Sequence, residues 1–106
     1  MLDDIDDNYE LQITNYELKQ NYPNPFNPVT KINYELQITN YELAEIVVHN
    51  AMGQIVGAYP CGRPSLATSN QGSIQFDGSK FNSGVYYYSL VVDGKKLTTK
   101  AMVLIK

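Results

Sequence analysis

The feature that most constrains the fold is a pair of strand-like segments at the end of the sequence. Residues 84–92 (GVYYYSLVV) and 95–106 (KKLTTKAMVLIK) are rich in β-branched and aromatic residues and flank the dipeptide Asp93-Gly94. Asp-Gly between two strands is typical of a two-residue type I′ turn, in which both central residues take positive φ. The sequence therefore predicts an antiparallel β-hairpin here.

The two-residue turn also predicts the register of this hairpin, because a loop of fixed length leaves one favoured alignment of the strands. The expected pairs on the core face are Leu90–Leu97, Tyr88–Thr99 and Tyr86–Ala101, and that face continues with Val103 and Ile105. Successive side chains of a strand point to opposite faces. We therefore expect the solvent-facing side to carry Lys96, Lys100 and Lys106.

Shorter segments with alternating polarity precede the hairpin. They lie at 32–38, 44–49, 55–56 and 74–76, and turn or loop sequences separate them, the longest at 60–73. Several short strands at such spacing are typical of a sandwich of two antiparallel sheets. We predict an all-β fold, an antiparallel β-sandwich of about six or seven strands.

An exact repeat complicates the first part of the chain. The sequence NYELQITNYEL occupies residues 8–18 and recurs at 33–43. Two copies are too few for a solenoid; a duplication of coding DNA and a designed symmetric pair both account for them. The repeat fits a strand or a helix face, and we expect the second copy to be a strand because Ile32 extends its alternation. Residues 1–19 are then an acidic linker with the first copy, and residues 20–106 are the folded domain.

A proline-rich segment, QNYPNPFNP at residues 20–28, opens the predicted domain. Three prolines in six positions exclude a helix and a central strand. We expect a rigid, kinked segment, with Tyr22 and Phe26 available to fill the core.

Charge and composition argue against several classes of protein. Residues 1–60 hold nine carboxylates against two lysines, a net −7, and residues 61–106 hold two against six Lys/Arg, a net +4. The basic residues are scattered, which is not a nucleic-acid footprint. Cys61 is the single cysteine, so neither an internal disulfide nor a Cys/His zinc cluster is expected.

Targeting signals are also missing from the pattern. No stretch approaches the roughly 18 apolar residues of a membrane helix, so we expect no insertion into a membrane. The acidic start, MLDDIDDNYE, lacks the basic and apolar regions of a signal peptide. If the domain is exported, we expect its leader to belong to a longer precursor, unless the open reading frame is a fragment.

Three segments follow one another in an order that resembles a known family. They are QNYPNPFNPVTKINYEL at 20–36, IVVHNAMGQIV at 46–56 and GSIQFDGSKFNSGVYYYSLVVDGKKLTTKAMVLIK at 72–106. Together they resemble the type A C-terminal sorting domain of the type IX (Por) secretion system. Each segment alone is a weak signal; their order and their position carry the resemblance.

This resemblance implies an Ig-like β-sandwich at the C-terminus of an exported cargo protein, in a family largely confined to Bacteroidetes and related phyla. The partners that it implies are the outer-membrane translocon and the sortase-like peptidase of type IX secretion. The implied destination is the medium or the cell surface, reached through the periplasm and the outer membrane. Neither catalysis nor a cofactor is implied.

We expect recognition in this chain to rest on five residues in the turn at 50–54, the SGV sequence and the last strand: Gly53, Gln54, Gly84, Lys100 and Lys106. A purely structural role is open for each of them. A physical route to recognition exists, because an edge strand can be read through backbone pairing, with lysines adding charge selectivity. We expect the last strand to lie near a sheet edge.

Two other functions remain open from the sequence. A structural or adhesive Ig-like module, resembling the flagellar hook-cap Ig-like domain, shares the PNPF and GVYYY sequences. A carbohydrate-binding module would need several exposed rings, whereas alternation buries Tyr86 and Tyr88 and exposes only Tyr87. An enzyme is the least favoured class, since no nucleophile–base set is visible.

The candidate reactive residues have simpler interpretations. His49 is the only histidine and is expected to be an ordinary strand residue. Cys61 is expected to be an incidental surface thiol, although the nearby Arg63 would lower its pKa. A calcium site is not expected at the aspartates, because the Gly and distal Glu of an EF-hand are missing there; a solvated acidic tail accounts for Asp3, Asp4, Asp6 and Asp7.

Overall fold

Seven β-strands occur in the part of the chain that the structure, a computed structural model, describes: residues 16–36, 43–61 and 70–106. The strands are β1 (Tyr16–Leu18), β2 (Val29–Leu36), β3 (Ala44–Asn50), β4 (Ile55–Pro60), β5 (Asn70–Asp77), β6 (Gly84–Val92) and β7 (Lys95–Leu104). They form a three-stranded sheet of order β1-β2-β5 and a four-stranded sheet of order β4-β3-β6-β7, and every pairing is antiparallel. The predicted all-β sandwich of six or seven strands is confirmed.

The core lies between the two sheets and takes alternate side chains from their strands. In β3, for example, Ala44, Ile46 and Val48 are buried while the residues between them are only partly covered. The largest side chain that is fully buried is Tyr88. Its hydroxyl donates to the Lys19 carbonyl at 2.7 Å and accepts from the Asn21 amide at 2.8 Å. A buried phenol that is paired in this way avoids the cost of an unsatisfied polar group.

Cys61 belongs to this core, so the prediction of a surface thiol is wrong. Its side chain has no exposed area, and burial raises the pKa of the thiol to about 12. The pattern of glycines and prolines around Cys61 indicated a loop, but its backbone amide donates to the Ala44 carbonyl at 2.8 Å directly after β4. This bond turns the side chain toward the core rather than into solvent.

The repeat contributes to two paired strands of the three-stranded sheet, the edge strand β1 and the central strand β2. Residues 33–36 of the second copy lie in β2, as expected for a strand, and residues 37–42 of that copy, with Ile38, lie outside the described residues. The end of the first copy, Tyr16–Leu18, forms β1 and pairs with Tyr34–Leu36. The same tripeptide, Tyr-Glu-Leu, therefore stands on both sides of this pairing. β1 is therefore part of the sheet although it lies before residue 20, the predicted start of the domain.

The C-terminal hairpin forms as predicted, but the predicted register is wrong beyond Lys96. The turn has the expected geometry, with φ of 50° at Asp93 and 82° at Gly94. A β-bulge follows, in which Leu97 is the extra residue, so that Leu90 faces Thr98 instead of Leu97. One extra residue reverses the side-chain phase of a strand.

The reversed phase changes which residues of β7 lie in the core. Met102 and Leu104 are buried, whereas the residues expected there, Ala101 and Ile105, are exposed and Val103 is half-buried. Lys100 is half-buried opposite Tyr88 on the core-facing side, not on the solvent-facing side as predicted.

The proline-rich segment fills the core with one of its two aromatic rings. Phe26 is buried and meets Phe76 edge-to-face at 6.0 Å between ring centroids, as predicted. Tyr22 is 79% exposed, so that prediction is wrong. The buried side chain beside it is Asn21, whose amide donates to Thr30 Oγ1 at 3.0 Å and to the Pro23 carbonyl at 3.1 Å.

Candidate functional site

The turn between β3 and β4 is held together by Asn50. The Asn50 carboxamide oxygen accepts from the amides of Met52 and Gln54, at 3.0 and 2.9 Å, and its nitrogen donates to Gln54 Oε1 at 3.0 Å. Gly53 has a φ of 89°, which a side chain would strain. Gly53 and Gln54 are thus fixed by their own turn, with both residues exposed.

The second sequence segment, at 83–84, lies at the same end of the four-stranded sheet. Asn50 faces Tyr86 across β3 and β6, which brings the turn beside the start of β6. Gly84 faces Leu104 in β7. A shallow cavity of about 210 Å³ lies between the turn and this segment, and its lining consists of Asn50, Ala51, Met52, Ser83, Gly84, Val85 and Tyr86.

Lys106 lies at the same end of the molecule and binds the turn at 79–83. Its backbone amide donates to Ser83 Oγ at 3.0 Å, and its ammonium donates to the carbonyls of Ser79 and Phe81 at 2.6 and 2.8 Å. The lysine predicted for recognition therefore also holds the turn at 79–83 in place. We call the surface formed by residues 50–54, 83–85 and Lys106 the motif end.

Four of the five predicted recognition residues meet at the motif end, and Lys100 does not. Lys100 lies four residues before Leu104 in an extended strand, a separation of about 13 Å. The motif end also exposes apolar side chains: Met52 is 84% exposed and Val85 is 42% exposed, and Ile105, which adjoins Lys106, is 50% exposed. Larger exposed apolar patches that are rimmed by polar residues are typical of surfaces that contact other proteins.

Sequence reasoning missed the role of Gly78. A Cβ atom on Gly78 would lie 2.9 Å from Leu104 Cδ2, closer than real side chains approach one another. The Gly78 amide donates to the Pro28 carbonyl at 2.7 Å, and Asp77 Oδ1 accepts from the Ser79 amide at 2.9 Å. The Asp-Gly pair after a buried aromatic residue was the available signal, since it marks a chain that turns against the core.

The predicted route to recognition was backbone pairing of a partner with the edge of β7. Other residues of the chain already occupy most of that edge. β7 is an edge strand, but Phe26 bridges it in parallel: its amide donates to the Val103 carbonyl and its carbonyl accepts from the Ile105 amide, both at 2.9 Å. Asn24 Oδ1 accepts from the Val103 amide at 3.0 Å, and Gln20 Nε2 donates to the Ala101 carbonyl at 2.8 Å. The proline-rich segment thus covers the second half of β7.

The other residues considered for catalysis or ligand binding pack against their neighbours in the sheets. His49 lies in β3, where its ring stacks on Tyr87 at 5.6 Å. Tyr86 and Tyr88 are buried as predicted. Within residues 16–36, 43–61 and 70–106, no group of three His, Cys, Asp or Glu side chains is placed to hold a metal ion, and no helix is long and apolar enough to cross a membrane. The aspartates at 3–7 lie outside the described residues.

The profile of one protein family matches residues 20–105, and its description is "Secretion system C-terminal sorting domain". The chain belongs to this family. Members of this family are sorting signals and not enzymes, so the chain carries a C-terminal secretion signal whose destination is the medium or the cell surface. Membership also implies interaction with the type IX secretion machinery.

Comparisons with individual proteins add information on the fold alone. No curated protein matches the chain. Among solved structures, a β-glucosidase from Listeria innocua in complex with glucose matches with a TM-score of 0.53 and 8% identity. A mutant of that enzyme in complex with laminaribiose gives 0.49, also at 8%. Each match covers 86% of this chain and only 16% of the glucosidase chain. The first match shows a likeness in fold to a small part of that enzyme.

Proposed function

We propose that this domain is a non-catalytic signal that directs a cargo protein, fused upstream, across the outer membrane through the type IX translocon. A sortase-like peptidase then removes it at the cell surface. The family match over residues 20–105 carries this proposal. Residues 1–19 act in it as the linker between cargo and signal, and the end of this linker, β1, pairs with the folded signal at residues 20–106.

The motif end supports a role in recognition by the machinery. It combines a rigid turn, exposed apolar side chains and the charge of Lys106 in one place. A rigid surface loses little conformational entropy when it binds. We therefore propose that Met52, Val85 and the Gly53-Gln54 backbone contact the translocon, with Lys106 positioning the adjoining turn.

Surface display of a reporter tests the proposed function. A reporter with a signal peptide, fused before the full 106-residue chain, is produced in a type IX-competent bacterium, and its accessibility to external protease is measured. The intact fusion should reach the surface; retention in the periplasm would refute sorting by this chain.

Two matched alanine variants then test the surface. Met52→Ala removes an exposed apolar side chain at the motif end, and Leu43→Ala removes one at the opposite end, where the Leu43 amide binds Asp93 Oδ1 at 2.9 Å. We expect Met52→Ala to lower surface display by about tenfold, the effect of losing ~1.4 kcal/mol of binding, and Leu43→Ala to leave it unchanged. Equal display of the two folded variants would rule out the motif end.

A further inference from the structure

In the part of the chain that the structure describes, the two sheets have four edge strands, and three of these edges are protected. β1 is only three residues long. β4 ends in Pro60 and carries a bulge at Val56, and the second half of β7 is covered by the proline-rich segment. Short length, proline, bulges and covering segments are the means by which proteins keep sheet edges from pairing with other chains.

Among residues 16–36, 43–61 and 70–106, nothing protects β5 in these ways. It is eight residues long (Asn70–Asp77), contains no proline and no lysine, and pairs with β2 without a register shift. Its only charged side chain is Asp77, at the end of the strand. A long, regular edge of this kind is a template for an added strand.

The hydrogen-bond pattern identifies the groups that β5 offers. The Gly78 amide bonds to Pro28 on the neighbouring strand, and hydrogen-bonded positions alternate along an antiparallel pair. The residues whose amides and carbonyls point away from β2 are therefore Gln71, Ser73, Gln75 and Asp77. Among the described residues, none of these backbone groups has a partner on the open side.

The layers formed by the described residues leave room for a strand at this edge. The sheet with β5 has three strands and faces a sheet of four. The half-buried Tyr59 of β4 lies beside the edge, with its ring against Phe76 of β5 at 6.2 Å. An added strand would lie over β4, and its inward side chains would cover Tyr59.

The chemistry of the edge defines what it can bind. The open backbone groups require an extended polypeptide segment, because only a strand offers donors and acceptors at the matching spacing. The outward side chains of β5 are uncharged up to Asp77, so the matching segment is neutral along its length. Asp77 already has Lys80 and Lys106 nearby, so it does not call for a basic side chain in the added strand.

From these observations we infer that the β5 edge accepts an extended, near-neutral segment of the secretion machinery as a fourth strand of the three-stranded sheet. This inference rests on the proposed function. Recognition through backbone groups suits a sorting signal, because the same amides and carbonyls are present whatever the side chains are. The motif end and the β5 edge would then be two separate contacts with the machinery.

Proline at position 75 provides the test. The Gln75 amide points away from β2, so Gln75→Pro removes one open donor and places a ring in the path of an added strand without breaking a bond of the sheet. The control is Gln75→Ala, which keeps the amide. Both variants of the full chain are assayed as reporter fusions for surface display, and their thermal unfolding is measured. We expect Gln75→Pro to lower display by about tenfold or more, and Gln75→Ala to match the unmodified chain.

The possible outcomes separate this inference from the proposed function. Failure of the unmodified fusion to reach the surface refutes sorting itself; normal display of a folded Gln75→Pro variant refutes only the β5 contact. If the proline variant unfolds, Gln75→Lys replaces it, since a lysine on an edge also opposes pairing. Light scattering on the purified chain tests the other occupant: a dimer that Gln75→Pro dissociates would assign the edge to a second copy and overturn the inference.

Discussion

The edges of β7 and β5 have the same kind of backbone, but among the described residues only the β7 edge is covered. Both strands are at sheet edges, and both turn alternate amides and carbonyls outward. At β7 the chain covers these groups with residues from the proline-rich segment, far away in sequence. At β5 the outward groups of the described residues stay open. The difference teaches that position in a sheet does not by itself make a strand available to a partner.

The proline-rich segment has a further role in the fold. Its three prolines predicted a rigid, kinked segment that opens the domain. In the structure it anchors one ring in the core, through Phe26, and closes an edge with the backbone of the same residue. Protection of the β7 edge and packing of the core are therefore coupled through Phe26.

Removal of the Phe26 ring should have the largest effect. Phe26→Ala leaves a cavity between the sheets and releases the segment that covers β7, and we expect it to lower the free energy of unfolding by about 3–5 kcal/mol. Chemical denaturation measures this change. Tyr22→Ala, in the same segment but 79% exposed, should change it by less than about 0.5 kcal/mol. Similar losses in the two variants would show that Phe26 does not anchor the segment.

Proline substitutions compare the two edges directly. Val103→Pro removes an amide that Asn24 uses and pushes against the bridging segment, so it should cost about 2–4 kcal/mol of stability. Gln75→Pro, at an open amide, should cost less than about 1 kcal/mol. Val103→Ala serves as the control for the lost side chain. Equal costs at positions 75 and 103, measured by denaturation, would mean that the two edges are equally free.

Alkaline pH should loosen the covered edge through Tyr88. Burial raises the pKa of the Tyr88 hydroxyl from 10.0 to about 12, so the native state holds this proton more tightly than the unfolded state. The stabilisation is complete below pH 10 and is lost as pH rises toward 12, by on the order of 2–3 kcal/mol. Because the hydroxyl binds Lys19 and Asn21, this loss frees the segment that covers β7.

Unfolding curves at several pH values measure the effect, and Tyr88→Phe supplies the control, since it has no hydroxyl to titrate. Its stability should keep only the pH dependence of other groups, chiefly Cys61, whose pKa burial raises from 9.0 to about 12. An unchanged slope above pH 10 in Tyr88→Phe would contradict the assignment to Tyr88.

Amide hydrogen exchange should show the smallest and most local difference. We expect the Val103 and Ile105 amides to exchange more slowly than those of Ser73 and Gln75. Asn24→Ala should speed exchange at Val103 by about fivefold, the equivalent of one hydrogen bond of roughly 1 kcal/mol, and leave Ser73 unchanged. Fast exchange at Val103 in the unmodified chain would show that the covering segment is not closed in solution.

Much of this fold follows from local sequence patterns. The alternation of β3, the Asp93-Gly94 turn and the burial of Tyr86 and Tyr88 depend on neighbours along the chain or across one turn, and these predictions are confirmed. The register beyond Lys96 was not predictable in this way. Both phases of β7 offer apolar residues, with Met102 and Leu104 on one face and Ala101, Val103 and Ile105 on the other, and packing against the second sheet selects between them.

The candidate site was predictable as a set of motifs, not as an arrangement. Gly53 and Gly84 stand out as turn and strand-start residues, but only the pairing of Asn50 with Tyr86 brings them to one end. Lys100 lies elsewhere because it is four residues before Leu104 along the extended strand β7, and the bulge at Leu97 decides only which face of β7 carries it. The covered edge of β7 depends on a contact between residues 26 and 103–105, a distance in sequence that no local pattern spans.

The pairing of β1 with β2 has a consequence for how such a domain changes over generations. The tripeptide Tyr-Glu-Leu reads apolar, polar, apolar in either direction, so two antiparallel copies place Tyr16 and Leu18 on the core side together with Leu36 and Tyr34, and both glutamates outside. A copy of this strand is thus already a suitable neighbour for the original. Insertion of duplicated sequence can widen the sheet in a single event, where point substitutions would have to build each side chain of a new strand in turn.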